Sequence, residues 1–419
     1  MTGRRVGAAV AALLLAMVAN AAAAEVTPTP AVALPGAGDV IAGEYIVVLK
    51  NGAAPRRAAT RHARVFGLNV GHVYRHALKG YSARIPRAAV PLIAQLPGVR
   101  WVEPARVVTA AAQTVPTGVN RAEADLSPTA RINGSDERVD IDVAVIDTGV
   151  NLSHPDLNVY RAGAKNCVLV SLGGANDDHG HGTHVAGTIG ALDNSSDVVG
   201  VAPGARIWPV KVLNLLGTGS TADVICGIDY VTSKAAEIDV ANMSLGGSGR
   251  DDNNCGNSNN DSQHKAICRS VGAGVTYVVA AGNSSADAAG SVPAAYDEVI
   301  TVSALADFNG VGGGGAAPTC RTDEDDSFAS FSNYGADVDV IAPGVCILST
   351  RSGGGTTTMS GTSMASPHVA GGAALYLAQN PDASPAAVRS ALMAAGSDDW
   401  SSTDDRDGTK EPLLNVAAF

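Results

Sequence analysis

Three segments of the chain carry a carboxylate, an imidazole and a hydroxyl that together suit nucleophilic catalysis. Asp147 precedes a Thr-Gly turn, His181 lies in the Gly-rich segment 178–187, and Ser363 lies in the small-residue segment 360–372. A neutral serine hydroxyl is a weak nucleophile, so a base must take its proton and a third group must orient that base. We therefore expect Ser363 to be the nucleophile, His181 the base and Asp147 the orienting carboxylate.

The histidines of segment 178–187 also allow a different chemistry. His179, His181 and His184 could ligate zinc, which favours imidazole nitrogen. Glycines flank them, however, and the glutamate that metalloproteases place beside such histidines is missing. A zinc hydrolase is therefore the less favoured enzyme hypothesis. A catalytically inactive scaffold is a further hypothesis, and the presence of every group that catalysis needs opposes it.

An amide side chain and the start of a helix complete the candidate catalytic groups. Asn283 follows the apolar segment 275–280, and its amide can donate a hydrogen bond to an oxygen that becomes negative during acyl transfer. Gly361 permits a close approach before Ser363, and Pro367 suits the first turn of a helix. We expect Ser363 to stand at the positive end of that helix.

Apolar strands must bring these side chains together. Segment 139–146 is almost continuously apolar, as in a parallel-sheet strand that is buried on both faces, and segment 275–280 has the same character. Asp147 and Asn283 therefore follow the carboxyl ends of strands, where α/β sheets place their sites. An aspartate before a glycine turn also occurs without any function, so the position of Asp147 alone decides little.

In this chain order the segments around Asp147, His181 and Ser363 resemble the subtilisin-like serine proteases, or subtilases. Segments 242–247 and 331–335 are similar to the secreted proteinase K-like branch of that family. The resemblance implies an α/β, subtilisin-like fold of three layers, with a mostly parallel sheet flanked by helices. It also implies a monomeric serine endopeptidase that needs no cofactor for catalysis and cleaves protein and peptide substrates.

The resemblance further implies residues that bind substrate and a structural ion. The residues implied to contact substrate are Ser244, Leu245, Gly246, Gly217, Gly219, Ala280, Ala281 and Gly282. Segments 244–247 and 280–282 contain no charge, so we expect an apolar or aromatic residue before the cleaved bond. The residues implied to hold structural calcium, through carboxylate and carbonyl oxygens, are Asp297, Val299 and Asp339.

The first 109 residues differ in character from the rest. Arg4 and Arg5 precede an apolar run and three alanines, which predicts a signal peptide over 1–24. We therefore expect a secreted, extracellular protein with no membrane contact after signal cleavage. Segment 25–109 carries a net charge of +7 and segment 110–419 one of −20. The acidic part argues against nucleic acid as a partner, and the opposite charges suggest that the two parts associate.

Segment 25–109 is predicted to be a small α+β domain. Its elements follow the order β, α, β, β, α, β of the ferredoxin-like pattern, with a folded part of about 44–108. It resembles the inhibitory propeptide of the subtilases, and segment 110–419 resembles their catalytic domain. We expect a precursor that cuts itself between Arg106 and Gln113 and retains its own propeptide as an intramolecular inhibitor.

The six cysteines all lie in the acidic part of the chain. Export to an oxidising compartment permits disulfides, and an even number suggests three of them, with fifteen possible pairings. We favour pairing of neighbours, 167 with 226, 255 with 268 and 320 with 346, because each bond would close a loop rich in Gly, Asn or Asp. Free, buried thiols are the alternative.

Overall fold

The computed structural model describes residues 40–106, 113–168, 173–402 and 405–419, which form two compact units divided between 106 and 113. The predicted signal peptide, 1–24, lies outside the described residues, as does most of the predicted cleavage zone. Within the described ranges, no helix is both long enough and apolar enough to cross a membrane.

The first unit is an antiparallel sheet that packs with two helices around an apolar core. Its strands are β1 Val40–Leu49, β2 Asn69–Tyr74, β3 Gly80–Arg84 and β4 Val99–Arg106, and its helices are α1 Pro55–Phe66 and α2 Val90–Ala94. The chain order and the strand order β2-β3-β1-β4 confirm the ferredoxin-like pattern. Strand β1 begins at Val40, earlier than the expected start at Glu44, because a register shift allows it to continue along β4.

The second unit is built on one large sheet with helices on both faces. Its helices are α3 Thr117–Arg121, α4 His181–Gly190, α5 Thr221–Ser233, α6 Ser262–Gly272, α7 Thr362–Gln379 and α8 Pro385–Ala395. Its strands are β5 Asp142–Asp147, β6 Lys165–Asn166, β7 Arg206–Lys211, β8 Val240–Met243, β9 Gly247–Ser248, β10 Thr276–Ala280, β11 Ser291–Val292, β12 Ile300–Ala306, β13 Ser327–Phe328, β14 Val340–Pro343, β15 Ile347–Thr350 and β16 Thr356–Met359.

The large sheet has the strand order β13-β12-β10-β8-β5-β7-β6, and β14 also pairs with β12. Its strand pairs are parallel apart from the short antiparallel pair of β12 with β13, which confirms the mostly parallel sheet. Strands β10, β8 and β5 are neighbours in its centre. Asp147 ends β5, Ser244 follows β8 and Asn283 follows β10, so the pairing brings all three to the same edge of the sheet.

The apolar side chains of the central strands divide between two cores, one on each face of the sheet. In β5, Val143 and Val145 pack in the core that contains α4, α7 and α8. Ala144 and Ile146 pack on the other face with residues of α5 and α6. Because successive side chains of β5 are buried on opposite faces, the strand is an almost continuous apolar run in the sequence. The sheet with helices on both faces is the expected three-layer arrangement.

The three disulfides join Cys167 to Cys226, Cys255 to Cys268 and Cys320 to Cys346. This confirms the pairing of neighbours along the chain and excludes the free thiols. The first bond ties the segment after β6 to α5, and the second closes the loop between β9 and α6.

Candidate active site

Asp147 and His181 form a close pair at the carboxyl edge of the sheet. The His181 Nδ1 lies 2.8 Å from Asp147 Oδ1 and 3.0 Å from Oδ2. The Asp147 side chain is fully buried, whereas 20% of the His181 side chain is exposed. A buried carboxylate accepting from Nδ1–H fixes the tautomer of the ring and leaves the lone pair on Nε2.

A second aspartate, Asp177, shapes the turn that delivers His181. Its carboxylate accepts hydrogen bonds from the backbone N–H groups of His179, Gly180 and Thr183, and from the hydroxyls of Thr148 and Thr183. It thus satisfies N–H groups at the start of α4 that have no partner inside the helix. Asp177 was not among the residues predicted from the sequence, although an acidic residue just before a helix is a recognisable capping signal.

Gly182 allows α4 to approach the Asp147 turn. A side-chain carbon at this position would overlap the carbonyl oxygen of Gly149 and crowd Asp147. The Gly182 N–H donates to Thr148 Oγ1 at 2.9 Å, which joins the helix to the turn directly. The glycine of the His-Gly-Thr-His segment therefore has a steric role in positioning the Asp147–His181 pair.

Lys211 supports the same turn from the adjacent strand. It pairs with Asp147 in the parallel register of β5 and β7, and its side chain is fully buried. Its ammonium donates to the carbonyl oxygens of Thr148 and Leu213 and forms an ion pair of 2.6 Å with Asp178. These partners satisfy all three N–H bonds of a buried cation. Lys211 was not predicted from the sequence either, because its role depends on the register of the strands.

The charge around His181 raises its pKa. Burial by itself lowers the pKa of this imidazole, but the Asp147 carboxylate raises it through its charge and its hydrogen bond, and Asp177 adds to this effect. The balance leaves the His181 pKa above the ordinary value of 6.5. The ring is therefore a stronger base than a free imidazole.

The other histidines of the segment do not converge on a metal. The His184 ring is buried and contacts the Ile347 carbonyl oxygen at 3.0 Å, and burial lowers its pKa to about 4. The ring centroids of His179 and His181 are 6.3 Å apart. Among the described residues, the groups of side chains that could hold a metal ion include none of these three histidines. The zinc-hydrolase hypothesis loses its structural basis.

Ser363 is the second residue of α7, a largely buried apolar helix that begins at Thr362. The prediction that it stands at the positive end of a helix is therefore confirmed. Pro367, however, lies beyond the first turn, so the expectation for this residue is wrong. A proline there removes the N–H that would bond to the Ser363 carbonyl four residues earlier. The Ser244 hydroxyl replaces that donor, at 2.8 Å from the carbonyl oxygen.

Ser244 also contacts the side chain of Ser363. The Ser363 Oγ donates to the Ser244 carbonyl oxygen at 3.3 Å. Among the described residues, Ser363 Oγ forms no hydrogen bond with His181. Catalytic hydrogen bonds are often long or absent without substrate. The Ser244 hydroxyl accepts from Asn242, whose amide oxygen accepts from Ser366 in α7, so a buried polar network ties β8 to the helix.

Asn283 lies beside Ser363 with its amide oriented by Thr362. The Asn283 Oδ1 accepts from the Thr362 backbone N–H at 2.8 Å and from its hydroxyl at 3.0 Å. Within the described ranges, neither Asn283 Nδ2 nor the Ser363 backbone N–H has an acceptor. Two donors near the same hydroxyl are thus available to an oxygen of a bound substrate.

The predicted substrate-binding residues line two adjoining hollows, each about 550 Å³ in volume. The first hollow is bordered by Ala280, Ala281, Gly282, Asn283, Leu245, Gly246 and Ser363. The second is bordered by Gly217, Gly219, Ser244, Leu245, Gly246, His181 and Ser363. Ser363 therefore stands where the two hollows meet. The first hollow also contains Asp287, a charge that the sequence analysis did not count.

The residues proposed to hold calcium do not fit that ion. The Asp339 carboxylate accepts from Arg389 Nε at 2.8 Å and from the Thr301 N–H at 2.9 Å. The same guanidinium donates through Nη1 to the carbonyl oxygen of Asp297, also at 2.8 Å. Val299 is also buried. Because the cation of Arg389 already bridges the two oxygen groups, the calcium prediction at Asp297, Val299 and Asp339 is not supported by their contacts.

Comparison with known proteins agrees with this geometry. Residues 139–411 match the Subtilase family model, and residues 44–111 match the model of the Peptidase inhibitor I9 family. An extracellular serine proteinase of Thermus sp. (strain Rt41A) is 36% identical over 407 residues, covering 91% of each chain. Subtilisin DY of Bacillus licheniformis is 39% identical over 285 residues, which cover 67% of this chain and 91% of the relative.

A solved structure shares the fold. The crystal structure of a cold adapted subtilisin-like serine proteinase matches with a TM-score of 0.54 and 33% identity, covering 71% of this chain and 98% of that chain. The family model spans more than half of the chain, and the relatives match over most of their length. The chain therefore belongs to the subtilase family, with an I9 inhibitor domain ahead of the protease domain.

Proposed function

We propose that Ser363, His181 and Asp147 are the catalytic triad of a secreted, self-processing endopeptidase. As a subtilase, the protein is a serine endopeptidase. The observation that carries the assignment of residues is the Asp147–His181 contact of 2.8 Å at a groove that also exposes Ser363. The relative from Thermus is named an extracellular proteinase, which together with the signal-like segment 1–24 supports secretion.

The first half of the reaction transfers the acyl part of the substrate to Ser363. His181 Nε2 takes the proton of the Ser363 hydroxyl as Oγ attacks the carbonyl carbon. Asp147 stabilises the imidazolium that results. The carbonyl oxygen becomes negative and accepts from Asn283 Nδ2 and the Ser363 N–H, and loss of one such donor costs about 100- to 1000-fold in turnover. His181 then protonates the leaving amine as the peptide bond breaks.

The second half restores the enzyme. Water enters beside the acyl-enzyme, and His181 Nε2 takes its proton as the water oxygen attacks the ester carbonyl. The ester bond to Ser363 breaks, and the proton returns from His181 to Oγ. Before the first half of the reaction can begin, the free Ser363 hydroxyl must turn away from the Ser244 carbonyl, because it donates there in the described structure. A bound peptide along residues 244–246 would favour that rotation by using this edge for its own backbone bonds.

We propose an apolar or aromatic preference at the position before the cleaved bond. Apart from Asp287, the side chains that border the first hollow are uncharged. The Asp287 carboxylate is exposed and accepts from the Ala289 N–H at 2.9 Å, so part of its charge is already engaged. A mostly uncharged hollow favours burial of an apolar side chain over that of a lysine or arginine.

We also propose that the protein removes its own propeptide. The I9 match ends at residue 111, which is within the expected cleavage zone between Arg106 and Gln113. The net charges of +7 and −20 on the two parts would hold the cut propeptide as a temporary inhibitor, with an affinity that weakens in salt. Ser363 would then act first on the chain that carries it.

N-terminal sequencing of Ser363→Ala tests this function. We expect the variant, expressed in a host without other exported proteases, to keep the segment from residue 25 to about 109. The control Ser360→Ala changes a nearby exposed serine outside the proposed triad and should begin between 107 and 114. A Ser363→Ala protein that begins between 107 and 114 would contradict self-processing and indicate a separate processing enzyme.

A further inference from the structure

The loop between β9 and α6 places a buried histidine among carboxylates. His264 lies in the first turn of α6, and its side chain is fully buried. Its ring stacks on that of Tyr296, with centroids 4.0 Å apart and planes 1° from parallel. The loop that faces it is closed by the disulfide between Cys255 and Cys268. The packing therefore fixes the direction in which both ring nitrogens point.

One nitrogen of His264 has a hydrogen-bond partner and the other has none. The His264 Nε2 lies 2.8 Å from Glu298 Oε2. The Nδ1 atom is buried without a hydrogen-bond partner among the described residues, yet Asp252 Oδ1 is 3.4 Å from it and Asp251 Oδ1 is 3.6 Å from it. If Nε2 carries the proton and donates to Glu298, the lone pair of Nδ1 faces two carboxylate oxygens. A buried acceptor that faces acceptors is costly unless a cation lies between them.

The separations of these atoms match a metal site better than a hydrogen bond. An N–H···O bond spans about 2.7–3.2 Å, which is shorter than either distance. Zinc bonds to His nitrogen and carboxylate oxygen are about 2.0–2.2 Å long, so two ligands of a tetrahedral ion lie about 3.3–3.5 Å apart. The three ligand atoms of Asp251, Asp252 and His264 all lie within 4.8 Å of one another.

The surroundings of the three side chains also suit a metal ion. Histidine ligands usually donate their second N–H to a carboxylate, which is the relation of His264 to Glu298. Four backbone N–H groups of its own loop, those of Asn254, Gly256, Ser258 and Asn259, donate to the Asp252 carboxylate and hold it in place beside His264. Cys255 and Cys268 are bonded to each other and supply no thiolate.

An ion can reach these side chains from solvent. Asp251 borders an open hollow that also contains Asp287, Asp297 and Asp337, and Arg250 is the one cation among the described residues at its border. An acidic concave surface raises the local concentration of cations. The side of Asp251 that faces the hollow leaves space for water as a further ligand.

We propose that Asp251, Asp252 and His264 bind a divalent transition-metal ion, with Zn²⁺ the best match to their nitrogen and carboxylate ligands. The ion would join the loop after β9 to α6 and to the segment that carries Glu298. Strand β9 borders both hollows of the groove, so the metal would stabilise the loop that follows one wall of the substrate site. It takes no part in the peptide hydrolysis proposed above.

The test is zinc binding by the chain inactivated with Ser363→Ala, which prevents self-digestion. After chelator treatment and dialysis, equilibrium dialysis measures bound Zn²⁺, and Co²⁺ serves as a probe through its visible absorption. We expect one equivalent of Zn²⁺ per chain and an intense Co²⁺ spectrum of the tetrahedral kind. Absence of saturable binding at millimolar zinc would overturn the proposal and indicate that His264 is an imidazolium paired with its three carboxylates.

Two further substitutions, made in the same background, locate the ion. Asp251→Asn removes one ligand charge from a partly exposed position and should weaken Zn²⁺ binding at least tenfold. Glu298→Gln removes the charge behind His264 and should weaken it about 10- to 100-fold. The control Asp337→Asn removes a charge from the same hollow, away from His264, and should change the affinity less than threefold. Unchanged binding in Asp251→Asn and Glu298→Gln would overturn the site, because the ion would then lie elsewhere, such as at His181.

Discussion

At the scale of single residues, the properties of His181 come from two aspartates with different tasks. Asp147 contacts the ring directly, whereas Asp177 holds the turn that carries it and adds a second negative charge nearby. Both favour the cationic form of the ring, which is the form that the proposed mechanism requires while Ser363 attacks a substrate. In that mechanism the base is stabilised at the moment when it holds the proton.

The first prediction concerns the pH dependence of hydrolysis. His181 must be neutral to accept the Ser363 proton, and its pKa is raised by Asp147 against the effect of burial. Activity should therefore be lost as the pH falls through a value above 6.5. Asp147→Asn should move this inflection to lower pH and reduce turnover by about four orders of magnitude. The profile of kcat/KM for a peptide substrate measures both effects, and an inflection unmoved by Asp147→Asn would contradict the pairing.

The second prediction concerns Asp287 and the residue before the cleaved bond. Asp287→Asn should lower kcat/KM about fivefold for substrates with lysine there, because an exposed carboxylate interacts with a nearby ammonium by about 1 kcal/mol. Substrates with phenylalanine or leucine there should be unaffected. Asp297→Asn, whose carboxylate lies outside this hollow, is the control. A peptide library cleaved mainly after basic residues by the unaltered enzyme would refute the apolar preference.

The residues of the proposed catalytic site could be proposed from the sequence, whereas the residues that position them could not. Asp147, His181, Asn283 and Ser363 each belong to a segment with a recognisable order and chemistry, and the structure gathers them at one groove. Lys211 reaches Thr148 only because β7 pairs with β5 in one register. The sequence contains no local signal for such a contact, since the partners are 63 positions apart.

At the scale of elements, helix α7 shows how a proline inside a helix can serve a site. Pro367 leaves the Ser363 carbonyl without its helical donor, and the Ser244 hydroxyl satisfies it from strand β8. The helix start is thereby fastened to the strand that borders the groove. The prediction of the helix and of the serine at its start is confirmed, but the proline was expected in the first turn, because a proline in the interior of a helix is usually unfavourable.

Helix α8 contributes a cation where the family resemblance implied a metal. Arg389, in α8, donates to the carboxylate of Asp339, which immediately precedes β14. It also donates to the carbonyl oxygen of Asp297. Asp339 is buried, whereas 35% of the Arg389 side chain is exposed. The oxygen ligands can be recognised in the sequence, but nothing in the sequence indicates that an arginine some 50 residues later would donate to them.

The third prediction tests this bridge. Arg389→Ala should lower the free energy of unfolding by about 2–3 kcal/mol, because it leaves the buried Asp339 without its cation, and partial exposure reduces the usual cost. Millimolar calcium should restore part of the lost Tm in this variant and should leave that of the unaltered protein nearly unchanged. Arg131→Ala, which breaks an exposed pair with Glu137, is the control and should cost at most about 1 kcal/mol. Equal calcium effects in both proteins would contradict the replacement of the ion by Arg389.

At the scale of the whole molecule, the two units match the two families expected from their sequences. The basic unit contains the I9 match, and the acidic unit contains the subtilase match and the candidate site. The ferredoxin-like order and the parallel sheet were predictable because alternation, turns and apolar runs are local properties of sequence. The order of the strands in the sheet is not a local property of sequence, and it brings residues 147, 244 and 283 to the same edge of the sheet.

The central claim is that Ser363 is the nucleophile of a working triad, and covalent labelling tests it most directly. A serine-directed phosphonylating reagent should add one phosphonyl group to the folded, active protein, and peptide mass spectrometry should place it on Ser363. Asp147→Asn should slow the labelling by about four orders of magnitude, and unfolded protein should not react. Failure of the folded protein to react, or modification at a residue other than Ser363, would contradict the account.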